Sequence, residues 1–409
     1  MADPRAHALM RTVRPVVVIR YLALLLILLS LVAWVPALVA WLLGDGATAL
    51  RYAVVNLLLL LVCVPLARLP EPERIERNEA LSVTALLFLL TPLLMSYPLM
   101  ASGLSWVDAW FEAVSGITTT GLTTLPSVEV QSQSFLFGRA WMQWYGGLGI
   151  GVLAVALFMG HQVTSKKLLA SAGEEGRSTT ARSYARQVLQ VYLLLTLLGF
   201  LLIRAFHPDT LQALVLSLSA ISTGGFSSLD ASLADLPFAV QLTISLVACA
   251  GAISLPLYHF GNRRQLSRLL RDLEARALLV AIGLLSLTLS VGLFYWHSLS
   301  PLESARHGVL LALSAQSTTG FSSLDVATLD PVPKLLLILS MLVGGSTGST
   351  AGGLKLIRLL ILLRLIQLTL QRISASPRAV LLPRLGGGSS TPTMFPRHWC
   401  SAVSGAWSS

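Results

Sequence analysis

The sequence predicts an all-α polytopic membrane protein, an N-terminal helical hairpin followed by tandem units of one long helix, one half-length helix and a second long helix. Three observations carry this. Only 12% of the 409 residues are charged and 54% are hydrophobic, whereas a soluble globule carries about 25% charge. Apolar stretches near the ~20 residues needed to cross a bilayer recur along nearly the whole chain. Between them lie apolar stretches of about ten residues ending in Ser, Thr and Gly, too short to cross.

The hairpin comes first, as spans near Val16–Leu43 and Tyr52–Ala67 separated by GDGATALR. The first span is too long for a secretory signal and lacks a small-residue cleavage pattern. Residues 1–79 thus form the hairpin and a charged cytoplasmic linker. The first repeat occupies 80–186, with WVDAWFEAVSG leading into ITTTGLTT; the second occupies 187–274, with PDTLQALVLSLSA leading into ISTGGFSS. The third, 275–375, carries PLESARHGVLLALSA before QSTTGFSS. Ser219–Asp230 and Ser314–Asp325 agree at ten of twelve positions, beyond what shared hydrophobicity gives, so the units arose by duplication.

Charge gives the topology. Of 29 Lys and Arg residues, 21 fall in segments 1–15, 68–79, 161–186, 261–276 and 355–378, while the alternate connections hold only Arg51, Arg139, Arg204, Arg306 and Lys334. That asymmetry places the N-terminus and the basic loops in the cytoplasm. The net charge of +10 therefore reports membrane orientation, with lipid as the partner and no nucleic acid implied. Cys63, Cys249 and Cys400 are far apart with no CxxC spacing, so neither disulfide nor transition-metal site is expected. No HExxH, Ser/His pair or intramembrane acidic relay points to an enzyme or a proton pump.

A half-length helix that stops within the bilayer leaves carbonyls unpaired unless they face a watery cavity, so the repeated unit implies a pore. Backbone carbonyls of a following Thr/Ser/Gly run can replace the hydration shell of a cation, with glycine permitting the turn that aims them. The run is Thr118, Thr119, Thr120 and Gly121 in the first repeat, and Ser222, Thr223, Gly224 and Gly225 in the second. In the third it is Ser317, Thr318, Thr319 and Gly320. A single TTTG is equally a re-entrant turn or a packing motif; three copies after three half-helices favour a potassium-type selectivity filter. Asp230 and Asp325, each five residues past a filter glycine, read equally as cation attractors or as turn residues.

The third closing span is interrupted by Gly344, Gly345, Ser346, Thr347, Gly348, Ser349, Thr350, Ala351, Gly352 and Gly353, then resumes at Leu354-Lys355. Five glycines in ten residues do not hold a helix, and broken spans occur at transport sites and gates. Tight packing through small residues is the rival reading. A phosphate loop needs Lys-Ser/Thr directly after its glycine, which Gly353-Leu354 does not supply.

Together these motifs resemble the Trk/Ktr/HKT superfamily of potassium transporters, in its bacterial Trk form, across roughly residues 15–385. The resemblance rests on TTTGLT at 118–123, STGGFS at 222–227, STTGFSSLD at 317–325, GRAWMQWYGGLGIGVLAVALF at 138–158 and GGSTGSTAGGLK at 344–355. It implies four helix–pore-helix–helix repeats around one potassium pore in the inner membrane, working as channel or symporter without a bound cofactor. It makes the twelve Thr/Ser/Gly residues the filter, and residues 344–353 with Lys355 the gating loop. A cytoplasmic nucleotide-binding regulatory subunit of the RCK type and a homodimer are its implied partners. Filter glycines offset by 104 and 95 residues place a fourth beyond Ser409, and 376–409 reads as linker and then a Gly/Ser/Pro-rich tail. The expectation is thus a frameshift or truncation near Gly387, and a chain that as written does not conduct alone.

Overall fold

The computed structural model describes residues 13–72, 75–149, 181–258, 271–297 and 299–374. The tail 376–409, most of the basic segments 1–15, 161–186 and 261–276, and the second part of the 138–158 span lie outside them. Among the described residues every regular element is helical.

The hairpin is α1 (Pro15–Leu42) and α2 (Gly46–Ala67). Its turn is shorter than the sequence suggests, because the Asp45 carboxylate accepts the Thr48 N–H and starts α2 within GDGATALR. Lipid tails are as apolar as leucine, so the two helices associate by close packing. Accordingly α1 buries a stripe of small residues, Ala23, Ser30, Ala33, Ala37 and Ala40, against Tyr52, Val55, Leu59 and Cys63 of α2 and its surroundings. Leu28, Leu31 and Leu38 stay exposed for lipid.

Repeat one comprises α3 (Arg77–Leu99), the half-helix α4 (Trp106–Ile117) and α5 (residues 133–149). A capping box between Glu76 and Glu79 starts α3, and an ion pair from Arg14 to Glu79 at 2.7 Å ties that start to α1. Repeat two comprises α6 (Ala181–Phe206), the half-helix α7 (Thr210–Ile221) and α8 (Phe238–Ala252). Repeat three comprises α9 (Leu273–Trp296), the half-helix α10 (Pro301–Gln316), α11 (Pro331–Val343) and, after a break, α12 (Leu356–Ser374). Among the described residues five helices are long and apolar enough to cross a membrane: α1, α2 and the spans Asn78–Ser102, Ala185–Phe206 and Leu273–Tyr295. At ~1.5 Å per residue the 12-residue α4 and α7 reach about 18 Å, little over half the hydrocarbon thickness.

Ser105, Asp209 and Ser300 cap the three half-helices, each accepting a backbone N–H of the first turn. Each half-helix therefore has a fixed start, and each ends inside the protein. There Ala113, Ala220 and Ala312 are fully enclosed.

Candidate pore and filter site

The three half-helices end the same way. Thr118, Ser222 and Ser317 are the C-caps, and the next residue, Thr119, Thr223 or Thr318, has φ of 55°, 51° or 59°. The Thr119 N–H reaches the Gly116 carbonyl at 3.0 Å and the Thr120 N–H reaches Ser115 at 2.9 Å; Thr223/Gly224 and Thr318/Thr319 repeat the pair. This is a Schellman termination, in which the left-handed residue is ordinarily glycine. A β-branched residue there is a true outlier, costing about 1–2 kcal/mol each. Three copies of the same strained turn mark a position that function holds.

Two residues on, the chain turns left-handed again at Gly121, Gly225 and Gly320, with φ of 79°, 78° and 85°. The three segments lie side by side. A Cβ on Gly121 would strike the Gly224 carbonyl oxygen, and one on Gly225 the Thr319 carbonyl oxygen. Beside Gly320 the space is open, and a cavity of about 410 Å³ separates Thr319 and Gly320 from Thr120 and Gly121. Segment two is thus the buried centre of an arc with two closed seams, segments one and three its flanks.

The hydroxyls of the cap residues are tied back onto their own half-helices: Thr118 to Val114 at 2.7 Å, Ser222 to Leu218 at 2.8 Å and Ser317 to Ser314 at 3.1 Å. These three hydroxyls are therefore turned toward their own helices and away from the left-handed turns that follow.

The glycine-rich break lies directly against these segments. α11 stops after 13 residues at Gly344, φ 73°, and Gln316 donates to the Gly344 carbonyl at 2.7 Å. Thr350 donates its hydroxyl to the carbonyls of Ile221 and Gly251, both at 3.0 Å, and Gly352 N–H reaches the Thr318 hydroxyl at 2.7 Å. Ser346, Ser349, Thr350 and Ala351 are buried. Lys355 folds back to donate to the Ala351 carbonyl, and Thr347 N–H is accepted by Glu274 at 2.9 Å. The loop therefore touches the ends of the second and third half-helices.

Sequence reasoning missed a second broken span. α8 stops at Ala252, and its last carbonyls are taken by loop amides, Ser346 to Ala252 at 3.0 Å and Thr350 to Gly251 at 3.2 Å. It also missed the polar groups behind the second of these segments. Glu112 of α4 and Arg139 of α5 form a buried ion pair at 2.8 Å, the guanidinium resting 3.8 Å over the Phe226 ring. Gln143 is fully buried against the second segment. Polar residues inside apolar spans were the available signal.

Asp230 and Asp325 take the turn role. Asp230 accepts the Ser127 hydroxyl at 2.6 Å and the Val128 N–H at 2.5 Å, joining the loop before α5 to the chain leaving the second segment. Asp325 caps a short turn through Ala327 N–H at 2.9 Å. The Ser127 hydrogen bond, then that of Val128, hold the Asp230 carboxyl below its ordinary range. A depressed carboxylate contributes fully above its unfolded value, about 3.9, and the contribution is lost as pH falls through the folded value. Asp230→Asn should therefore increase hydrogen exchange at Val128 at neutral pH and erase its acid dependence, with potassium affinity changed less than about twofold. A large loss of affinity would restore the cation-attracting role.

Membrane-length apolar helices, half-length helices that end inside the protein on left-handed turns and a broken span packed against those turns are the features of a membrane transport protein. Residues 78–400 match the TrkH family, cation transport proteins, and the chain belongs to that family. It is 31% identical over 382 residues to the Trk system potassium uptake protein TrkH of Halomonas elongata, covering 90% of this chain and 79% of that one. Against TrkH of Escherichia coli K12 the identity is 28% over 397 residues, 93% and 81% of the two chains. The crystal structure of the potassium transporter TrkH from Vibrio parahaemolyticus superposes with a TM-score of 0.81 at 30% identity, over 95% of this chain and 82% of that one.

Proposed function

We propose that this chain is a potassium-uptake subunit of the cytoplasmic membrane, N-terminus inside, with residues 118–121, 222–225 and 317–320 as filter and 344–353 with Lys355 as gate. The threefold recurrence of a strained threonine followed by a left-handed glycine is the observation that carries the reading. Carbonyls so arranged suit potassium, which sheds its water more readily than a smaller, harder ion. Potassium is the substrate, and the chain's own groups suffice without a cofactor. The kinship with Trk systems supports a cytoplasmic RCK-type nucleotide-binding subunit and a homodimer as partners. Expression in a bacterium lacking potassium uptake should restore growth at low potassium and drive rubidium uptake. Transport of sodium in preference would reject the substrate.

The Glu274 contact makes the gate testable. Glu274→Ala removes the acceptor of Thr347 N–H and should loosen the loop, raising uptake about two- to fivefold with the rubidium-to-sodium ratio unchanged, the scale of one hydrogen bond. A fall in uptake at equal membrane level would favour a packing role for 344–353.

A further inference from the structure

We infer that Gln143 is a specificity-determining residue, a side chain of the first repeat that sets the carbonyl direction in the second filter segment; the inference rests on the filter reading above. Gln143 lies on α5 and is fully enclosed. Its Nε2 donates to the Gly224 carbonyl at 2.6 Å, and its Oε1 accepts the Phe226 N–H at 3.2 Å. These two backbone groups flank Gly225, the residue with φ 78°. One amide therefore fastens the filter backbone on both sides of its left-handed turn.

The same contact explains a difference between the repeats. Gly224 stands where repeat three has Thr319, one of the two mismatches between Ser219–Asp230 and Ser314–Asp325. Gly224 does not have a left-handed φ, so backbone freedom is not the reason for glycine there. A Cβ at 224 would sit inside the Gln143 amide, 2.7 Å from Nε2. Thr319 instead shares its hydroxyl with Ser317 at 2.7 Å. Segment two has given up a side chain so that Gln143 can reach its backbone.

The amide is itself held in place. One turn earlier on the same face of α5, Arg139 pairs with Glu112 and lies over Phe226, and Glu112 also accepts Thr124 N–H at 3.0 Å beyond filter segment one. A buried ion pair is weak evidence of stability but well suited to fixing register. The Gly224 carbonyl, moreover, is the one facing Gly121 across the seam between segments one and two. Carbonyl direction and stiffness decide how well a filter replaces the water of potassium against that of sodium. Gln143 controls both at that seam.

The test uses the purified chain in detergent, titrated with KCl or NaCl against choline chloride at constant ionic strength, following the thermal unfolding midpoint. Wild type should be protected by potassium at lower concentration than by sodium. Gln143→Met, which removes the amide, and Gln143→Glu, which keeps the size but loses the donor, should each reduce the potassium-to-sodium affinity ratio about tenfold, the scale of one buried hydrogen-bonded pair. Gln241 is the control. It is equally buried on α8 but caps the carbonyls of Leu233, Ala234 and Leu236. Gln241→Met should lower the midpoint in every salt and leave the ratio intact. An unchanged ratio in a folded Gln143 variant, or an equal loss in Gln241→Met, overturns the inference and leaves the filter reading standing. A wild type with no preference for potassium overturns both.

Discussion

Gly225→Ser should abolish potassium-selective uptake, lowering the rubidium-to-sodium ratio at least about thirtyfold, whereas Gly320→Ser should lower it only severalfold. Both glycines have φ near +80°, so a side chain at either costs about 1–2 kcal/mol of backbone strain, roughly a tenfold effect. They differ in what the new Cβ meets. At Gly225 it strikes the Thr319 carbonyl oxygen, at Gly121 the Gly224 oxygen, and at Gly320 nothing within 4 Å. The first two substitutions displace a carbonyl of the neighbouring segment as well as straining their own. Uptake of rubidium and sodium at matched membrane levels is the measurement. Equal losses at 225 and 320 would show that backbone strain alone matters, and that the close approach between segments has no part in selectivity.

Much of this site was legible because its physics is local. Half-length apolar runs ending in Ser, Thr and Gly gave the half-helices to within a few residues, and the glycine-rich string announced the break after Val343. What stayed hidden depended on partners distant in sequence. No propensity argues for threonine at a left-handed position, so the strained turns at Thr119, Thr223 and Thr318 could not be read. GAISLPLY continues the apolar character of α8, and its break is visible only once Ser346 and Thr350 are seen to take the carbonyls of Ala252 and Gly251. Gln143 lies some eighty residues from the backbone it holds, at a sequence separation of 81 from Gly224, and within its own span it is only one polar residue among many apolar ones. The glycine at 224 reads as filter chemistry until the amide beside it gives it a packing cause.

Thr350→Val should raise potassium uptake several-fold and leave the rubidium-to-sodium ratio within about twofold of wild type. The substitution keeps the shape of a buried side chain and removes the hydroxyl that donates to Ile221 and Gly251 and accepts from the Thr223 hydroxyl at 3.4 Å. The one hydroxyl hydrogen is shared between the two carbonyls and counts as about one bond of 0.5–1.5 kcal/mol net, so losing it shifts a closed-to-open equilibrium by about two- to tenfold. Excising 346–351 would be a poorer experiment. It would orphan the Gly251 and Ala252 carbonyls that end α8, and unpaired carbonyls in lipid destabilise by several kcal/mol. Valine confines the change to the contact between loop and half-helix, because the backbone bond from Thr350 N–H to Gly251 survives. The two roles of the loop then separate by sign. A gate loosened at Thr350 passes more ion with the same preference, since Thr223, which loses only a 3.4 Å contact to the Thr350 hydroxyl, keeps its N–H on the Ala220 carbonyl and its own hydroxyl on the Ser222 carbonyl. A packing element loosened there gives less protein in the membrane and less uptake per cell, with no gain at matched level. Uptake that falls in proportion to membrane content would therefore remove 344–353 from the gate and leave it as the plug that completes two broken spans.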